Sequence, residues 1–476
     1  IGSELIGIMN YTTRFFLLIV LSVLGGQYVQ AQDTLQINFE EFKQKAFKNS
    51  GQLRYASTAV ELSYNREDQA RNQRFLPDLR YVSEHALVPG VTSDSILANG
   101  QPLPAESYYL DPNAENNWNE WGTFNRFRVM GAQPLFTWGA IQKAVNAAEA
   151  ATEASEFELE GERSEFELRL FELYYSYTLA LEIERLLNDA QENLDKIGEQ
   201  IEELAEDGDE ELSLADEYRF MIFKEKFEIQ KVEVQQSLEF VKRTWAYALG
   251  YKNQKTVYEP TARFLEPIFT EFASVTFYEQ MAMSNRPELR ALRAGKRAYD
   301  HYVSSVKAQN LPGLFLGFQI TMASTPVRPR QPNAFIINPE NTFNTALGLT
   351  IRQNLNMLQF KTALERSKIE AKRINYLQDA ASDGIFLEVS NTYRDALVSE
   401  TKVTQTKKAL SLAKEWLRQE QLDYDLGFGD TKSLIEAIQQ DLELRLEVLE
   451  STFVMNSNIA KLHKAAAIPL PKITTN

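Results

Sequence analysis

The sequence contains no cysteine. Disulfides, thiolate metal sites and a lipid on an N-terminal cysteine are excluded. It has only three histidines, His85, His301 and His463, far apart along the chain. A histidine-based metal or catalytic cluster is not expected, and neither is a cofactor. No basic run occurs and the net charge is −16, which argues against nucleic acid as a partner. No H-E-x-x-H, G-x-S-x-G or glycine-rich dinucleotide turn is present. The stretch GFGDTKS has Lys432 after threonine rather than glycine, with no strand ahead of it. Enzyme activity is therefore not expected. No stretch reaches about eighteen consecutive apolar residues, so no helical membrane anchor is expected either.

The N-terminus carries an address. Met9 and Arg14 precede an apolar run from Phe15 to Leu24, and Val29-Gln30-Ala31 precedes Gln32-Asp33. That is the pattern of a secretory signal peptide. Residues 1–31 read as leader and signal peptide, and the exported chain is expected to start near Gln32.

The rest of the sequence repeats itself. NSGQLRYASTAVELSYNREDQARNQRFLPDLRY starts at Asn49, and NRPELRALRAGKRAYDHYVSSVKAQNLPGLFLG starts at Asn285. Each begins with Asn, carries Leu-Arg soon after, runs as a helix and ends in Leu-Pro. The expected repeats are 32–250 and 285–468, joined by a linker at 251–284 and followed by a tail at 469–476. Each contains a helix, two strands, a very long helix, a tip and a shorter return helix.

The long helices are expected at about 139–205 and 359–426. Leu187, Leu194 and Ile201 form one seven-residue series, and Ala190, Ile197 and Leu204 form another. Val403, Leu410, Leu417 and Tyr424 repeat in the same way. These are coiled-coil seams. Each rod would be ~100 Å long, so the molecule is elongated. Tips fall near 206–212 and 427–431, where Asp207-Gly208-Asp209 and Gly427-Phe428-Gly429-Asp430 break the helices.

Four strands are expected, at 78–88, 124–135, 313–323 and 343–353. The third puts Leu314, Leu316, Phe318, Ile320 and Met322 on one face, and Gly317, Gln319 and Thr321 on the other. The fourth puts Leu347, Leu349 and Ile351 on one face. The second is weakest, because Arg126 and Arg128 share a face with Phe124 and Met130. Lengths of about ten residues suit a bilayer-spanning strand. Four strands cannot close a barrel alone, and open edges are not tolerated in lipid. The apolar face is expected to touch lipid, with closure by oligomerisation. Long polar loops follow at 89–123, with Trp118 and Trp121, and at 324–342.

Taken in order and duplicated, these segments resemble the TolC family of outer-membrane efflux and secretion channels. The resemblance rests on the repeated segment above, on QPLFTWGAIQKAVNAAEAA entering the first rod, and on YDLGFGDTKSLIEAIQQDLELRLEVL at the second tip. It implies an α+β membrane protein: a long α-helical coiled-coil barrel plus a transmembrane β-barrel with four strands per chain, closed as a homotrimer. It also implies an outer-membrane location with a periplasmic tunnel, a periplasmic adaptor protein and an inner-membrane transporter as partners. At the second tip Tyr424 and Gly427 match the family pattern. Glu436 and Ser433 fall at acidic positions of the family's entrance, and Gly429 stands where some members carry a lock-forming arginine. At the first tip Ser213 and Asp216 match, after Gly208. The resemblance makes Asp216, Glu436, Ser433 and Tyr424 entrance residues. It makes Gly208, Ser213, Gly427, Gly429 and Asp430 tip-turn or adaptor-docking residues. Two functions stay open: a passive exit duct of a tripartite efflux or type I secretion system, and a soluble periplasmic coiled-coil scaffold.

Overall fold

The computed structural model describes residues 34–207, 214–250, 257–331, 333, 335–336, 338–426 and 428–472. The leader and signal peptide expected over 1–31 lie outside the described residues. The strands are β1 (Thr34–Ile37), β2 (Asp78–Thr92), β3 (Glu115–Phe136), β4 (Val257–Pro260), β5 (Gly313–Ser324) and β6 (Thr342–Arg352). The helices are α1 (Phe39–Asn49), α2 (Gly51–Asn72), α3 (Ala140–Asp207), α4 (Leu214–Ala248), α5 (Val275–Asn285), α6 (Pro287–Gln309), α7 (Met357–Asp425) and α8 (Thr431–Ala465). Among the described residues no helix is long and apolar enough to cross a membrane.

Two rods set the shape. α3 has 68 residues and α7 has 69, each ~100 Å of helix. An alanine-rich start, AIQKAVNAAEAATEA, favours helix at the head of α3. The outer half of α3 packs beside α2 and α6. The ion pairs Arg71–Glu149 (3.0 Å), Arg290–Glu160 (3.1 Å) and Arg297–Glu153 (2.7 Å) mark these contacts. Its tip half packs beside α4, where Leu187, Leu194 and Ile201 meet Phe220, Phe223 and Phe227. α7 likewise packs beside α6, then α8. Each rod thus buries its seam against two shorter helices in succession. In α7 the buried seam is Ala396, Ser399, Val403, Thr406 and Ala413. Its second series is small and polar, a feature the heptad of larger residues alone did not reveal.

Halfway along, an aromatic core gathers β1, α1 and Leu470 against α3 and α4. Phe42 stacks on Trp245 at 4.0 Å, with Tyr174 and Tyr177 against the same indole. β1 pairs in parallel with β4 beside this core. The segment expected as a linker at 251–284 therefore contains β4 and most of α5.

The other strands form one antiparallel sheet in the order β2-β3-β5-β6. β5 and β6, of 12 and 11 residues, lie within a residue of their expected ranges. β2 and β3 are longer than expected, at 15 and 22 residues. Their extra pairing, Gly90↔Asn117 to Thr92↔Glu115, takes up much of what reads as loop in the sequence. A bulge between Pro89 and Gly90 hid it, because it breaks the two-residue alternation. A second bulge at Pro134 lets a residue without an N–H stay in β3.

Strand passes to rod through a strained turn. Trp138 and Gly139 have φ of 54° and 75°. Glycine adopts this region freely, whereas tryptophan does not. Trp138 is held there by its indole N–H, which donates to the Pro312 carbonyl at 3.0 Å, and by the Phe136 ring at 5.1 Å. Ser305 donates to the Ala140 carbonyl, tying α6 to the same junction.

Candidate functional site

The sheet has two chemically opposite faces, and the strand register fixes which residue lies on which. Leu314, Leu316, Phe318 and Ile320 stand opposite Ile351, Leu349, Leu347 and Thr345. On the other side Ile320, Phe318 and Met322 stand opposite Val129, Gly131 and Phe127. Leu79, Tyr81 and Ser83 of β2 complete this face. Leu347 and Leu349 are 73% and 68% exposed, and Ile320 is exposed too. Leu314, Leu316 and Phe318 are half-buried by their neighbours. Over β5, β6 and the strand portions paired with them, this face carries no Asp, Glu, Lys or Arg.

The reverse face is polar. Gln319 lies between Met130 and Ala346, and its amide donates to Thr321 at 3.1 Å. Arg126 and Arg128 also lie here, both within reach of Glu84 at 3.0 and 3.7 Å. That explains the weak alternation of β3. Its arginines serve the polar face, while Phe127 and Val129 serve the apolar one. Where strands become helices, the polar face opens into a hollow of about 960 Å³. Phe315 and Arg352 line it, with the amides of Gln73, Gln309, Gln353 and Asn354.

At the far end of the rods lies the second tip. Asp430 caps α8, accepting from the Lys432 N–H, and the Ser433 hydroxyl donates to it at 3.3 Å. Phe428 N–H donates back to the Asp423 carbonyl at 2.9 Å. A Cβ on Gly429 would lie 2.5 Å from the Tyr424 nitrogen. The turn is closed so tightly on its own backbone that only glycine fits. An arginine at this position has no room, and the tip has a different construction there. Glu436 is exposed on α8, with the Lys432 ammonium 4.0 Å away. Tyr424 is half-buried and lines a groove of about 570 Å³ between α3, α7 and α8.

Asp216 lies in the first turn of α4, where a helix N-terminus favours an anion. It is buried, and its carboxylate meets Arg219 at 2.6 Å. The structure therefore places Tyr424, Gly429, Asp430, Ser433 and Glu436 around the tip between α7 and α8, and Asp216 on the other hairpin. Gly208, Ser213 and Gly427 lie outside the described residues.

Two charged groups escaped the sequence reading. Asp441 is buried on α8 beside the same groove, 2.6 Å from Arg445. Its signal is an acid and a base four residues apart, which on most helices is a solvated pair. Arg286 is 4% exposed at the head of α6 and meets Glu388 of α7 at 2.6 Å. Burial alone would raise the Glu388 carboxyl. The Arg286 hydrogen bond and charge, with Lys464 at 3.8 Å, outweigh it and hold the carboxyl below the usual range. Nothing in the local sequence joins these two, which are 102 residues apart.

No family model matches the sequence, and no curated protein matches it. Solved structures do. The open-state MtrE outer membrane channel of Neisseria gonorrhoeae is 13% identical, with 93% of this chain and 94% of that one covered at a TM-score of 0.70. The outer membrane protein VceC of Vibrio cholerae is 15% identical, with 91% and 97% covered at 0.68. The Campylobacter jejuni CmeC outer membrane channel is 14% identical, with 93% and 90% covered at 0.68. The chain has the TolC-family fold. At such identities the likeness concerns the fold.

Proposed function

We propose that three copies of this chain form an outer-membrane exit duct of a tripartite efflux or type I secretion system. The duct is passive. An inner-membrane transporter supplies the energy, and a periplasmic adaptor joins it to the rods. One observation carries the reading: a strand sheet with exposed leucines and no formal charge on one face, mounted on ~100 Å rods. Such a face is at home against lipid. The sheet ends in two unpaired edges, β2 and β6. Lipid leaves no unpaired backbone group tolerable, so the edges must meet other copies. Three sheets joined β6 to β2 give twelve strands and no edge. A soluble scaffold gives Leu347 and Leu349 nothing to touch.

The rod tips form the periplasmic entrance in this reading. Glu436 and Asp216 contribute acids near the threefold axis. Arg219 meets Asp216 at 2.6 Å, whereas Lys432 stands 4.0 Å from the more exposed Glu436, so Glu436 carries more of the field. Ser433 and Asp430 hold the turn, and the entrance closes without an arginine at Gly429.

Mass measurement of the detergent-purified protein tests the assembly. The expected result is a trimer that forms conducting channels in planar bilayers. A monomer that washes off outer membranes with salt would refute the duct. Trivalent cations added from the rod side should block the channel. Glu436→Ala should relieve that block if the acid faces the pore. If Glu436 faces the adaptor instead, block is unchanged and export in cells falls.

A further inference from the structure

The polar face of the sheet is open along its middle and covered at the end far from the rods. Gln319, Asn344 and Ala346 lie exposed on it. Further out on the same face, Gly122, Phe124 and Ala323 are buried. Trp121, Thr123 and Met322, their neighbours on the opposite face, stay exposed. The cover is the segment 325–331, which leaves β5. A Cβ on Gly122 would run into both methyls of Val327, so Val327 sits on the polar face directly over β3. The next residue reaches past β3 to the edge strand β2. Arg328 donates from Nε to the Pro89 carbonyl at 3.1 Å, from Nη2 to Asn116 at 3.3 Å and from Nη1 to Glu340 at 2.9 Å. The Asn341 amide donates to the Arg328 carbonyl at 2.8 Å. From the β2–β3 loop, the Tyr109 hydroxyl donates to the Pro329 carbonyl at 2.6 Å, and the Gln331 amide donates to the Glu106 carbonyl at 3.2 Å. Two loops that are 200 residues apart in sequence are thus knitted into one unit.

From this we infer that segment 325–331 is a strap across the outer mouth of the duct, latched by Arg328, and that it limits the size of the solutes that pass the mouth. The inference rests on the barrel reading above, in which the polar face is the lumen wall. The loop joins β5 to β6 at one side of the sheet, yet the strap runs over β3 towards β2 at the other side. It therefore lies across the wall instead of standing up from it. Twelve strands about 4.8 Å apart, tilted by about 40°, give a wall radius of about 12 Å. A layer packed on a sheet face lies about 10 Å from it. Three straps on three walls then leave a mouth far narrower than the barrel. The latch suits a fixed strap. The Arg328 and Glu340 side chains are only 19% and 22% exposed, and each supplies the countercharge of the other. Gly122 has the complementary part. A glycine inside a strand lets another segment come down close to the sheet, and here that segment brings Val327.

Polymer exclusion from single channels in planar bilayers tests this, with polyethylene glycols of graded size as the probe. Arg328→Ala should admit larger polymers from the barrel side than the wild type does. It should also raise the share of time spent at the widest conductance level by about tenfold or more, as expected for losing charge-assisted hydrogen bonds. Gly122→Val fills the seat of Val327 and should widen the mouth through a different contact. The cut-off for polymers entering from the rod side should move with neither, which a general loosening of the protein would not produce. Open conductance reports whether each variant has assembled. If Gly122→Val forms no channel, Arg328→Ala, which lies outside the paired strands, decides alone. Wild-type channels that conduct, with a barrel-side cut-off unmoved by these substitutions, would overturn the strap and leave the duct standing. A wild type without conductance would overturn both.

Discussion

Leucine does opposite work at the two ends of this molecule. Leu194, in the rod, is 2% exposed, and Leu347, in the sheet, is 73% exposed. Both lie on regular apolar stripes, one with a seven-residue repeat and one with a two-residue repeat. In the rod the stripe turns inward, because water surrounds the helices and the seam must hide from it. In the sheet the stripe stays exposed and the charges lie on the opposite face, an arrangement that lipid would cover in the proposed duct. The difference teaches that a side chain is placed by its solvent and not by its polarity alone.

Truncation should break the comparison most sharply. Leu194→Ala is expected to cost about 2–5 kcal/mol of helical stability, because it opens a cavity among Phe220, Phe223 and Phe227. Leu349→Ala should change unfolding in detergent far less, because no protein packs over it. Equal losses in thermal unfolding would mean that the sheet's apolar face is buried after all. Charge insertion reverses the order. Leu316→Arg should cost about 2–4 kcal/mol at mid-membrane, whereas Gln319→Arg on the polar face should insert almost normally. Trimer yield from outer membranes reads the difference.

The tip offers a smaller effect. Gly429→Ala forces a Cβ to within 2.5 Å of the Tyr424 nitrogen, and the turn must open at a cost of about 1–3 kcal/mol. Local hydrogen exchange at 423–434 should speed up, while exchange in the sheet stays unchanged. The smallest effect concerns pH. The carboxyl of Glu388 is held below its ordinary value of 4.5. A depressed carboxylate contributes stability that is present above that value and is lost as pH falls through the folded one. Rod stability should therefore fall on acidification below about pH 4.5, and Glu388→Gln should flatten that part of the profile. An unchanged profile would mean that Arg286 and Lys464 do not act through this carboxylate.

The sequence by itself determined the rods, the duplicated plan and the faces of β5 and β6. Each rests on a local period, 3.5 or 2 residues, which neighbours along the chain are enough to express. It left β3 ambiguous. A bulge at Pro134 and two arginines blur its alternation, and only pairing with β5 shows that Arg126 and Arg128 share the Gln319 face. The tertiary structure alone joined Arg286 to Glu388 and buried Asp441 beside the tip groove, because long-range pairs leave no period. It also gave Gly429 its reason. The sequence shows that arginine is missing there, whereas the closed turn shows that no side chain fits.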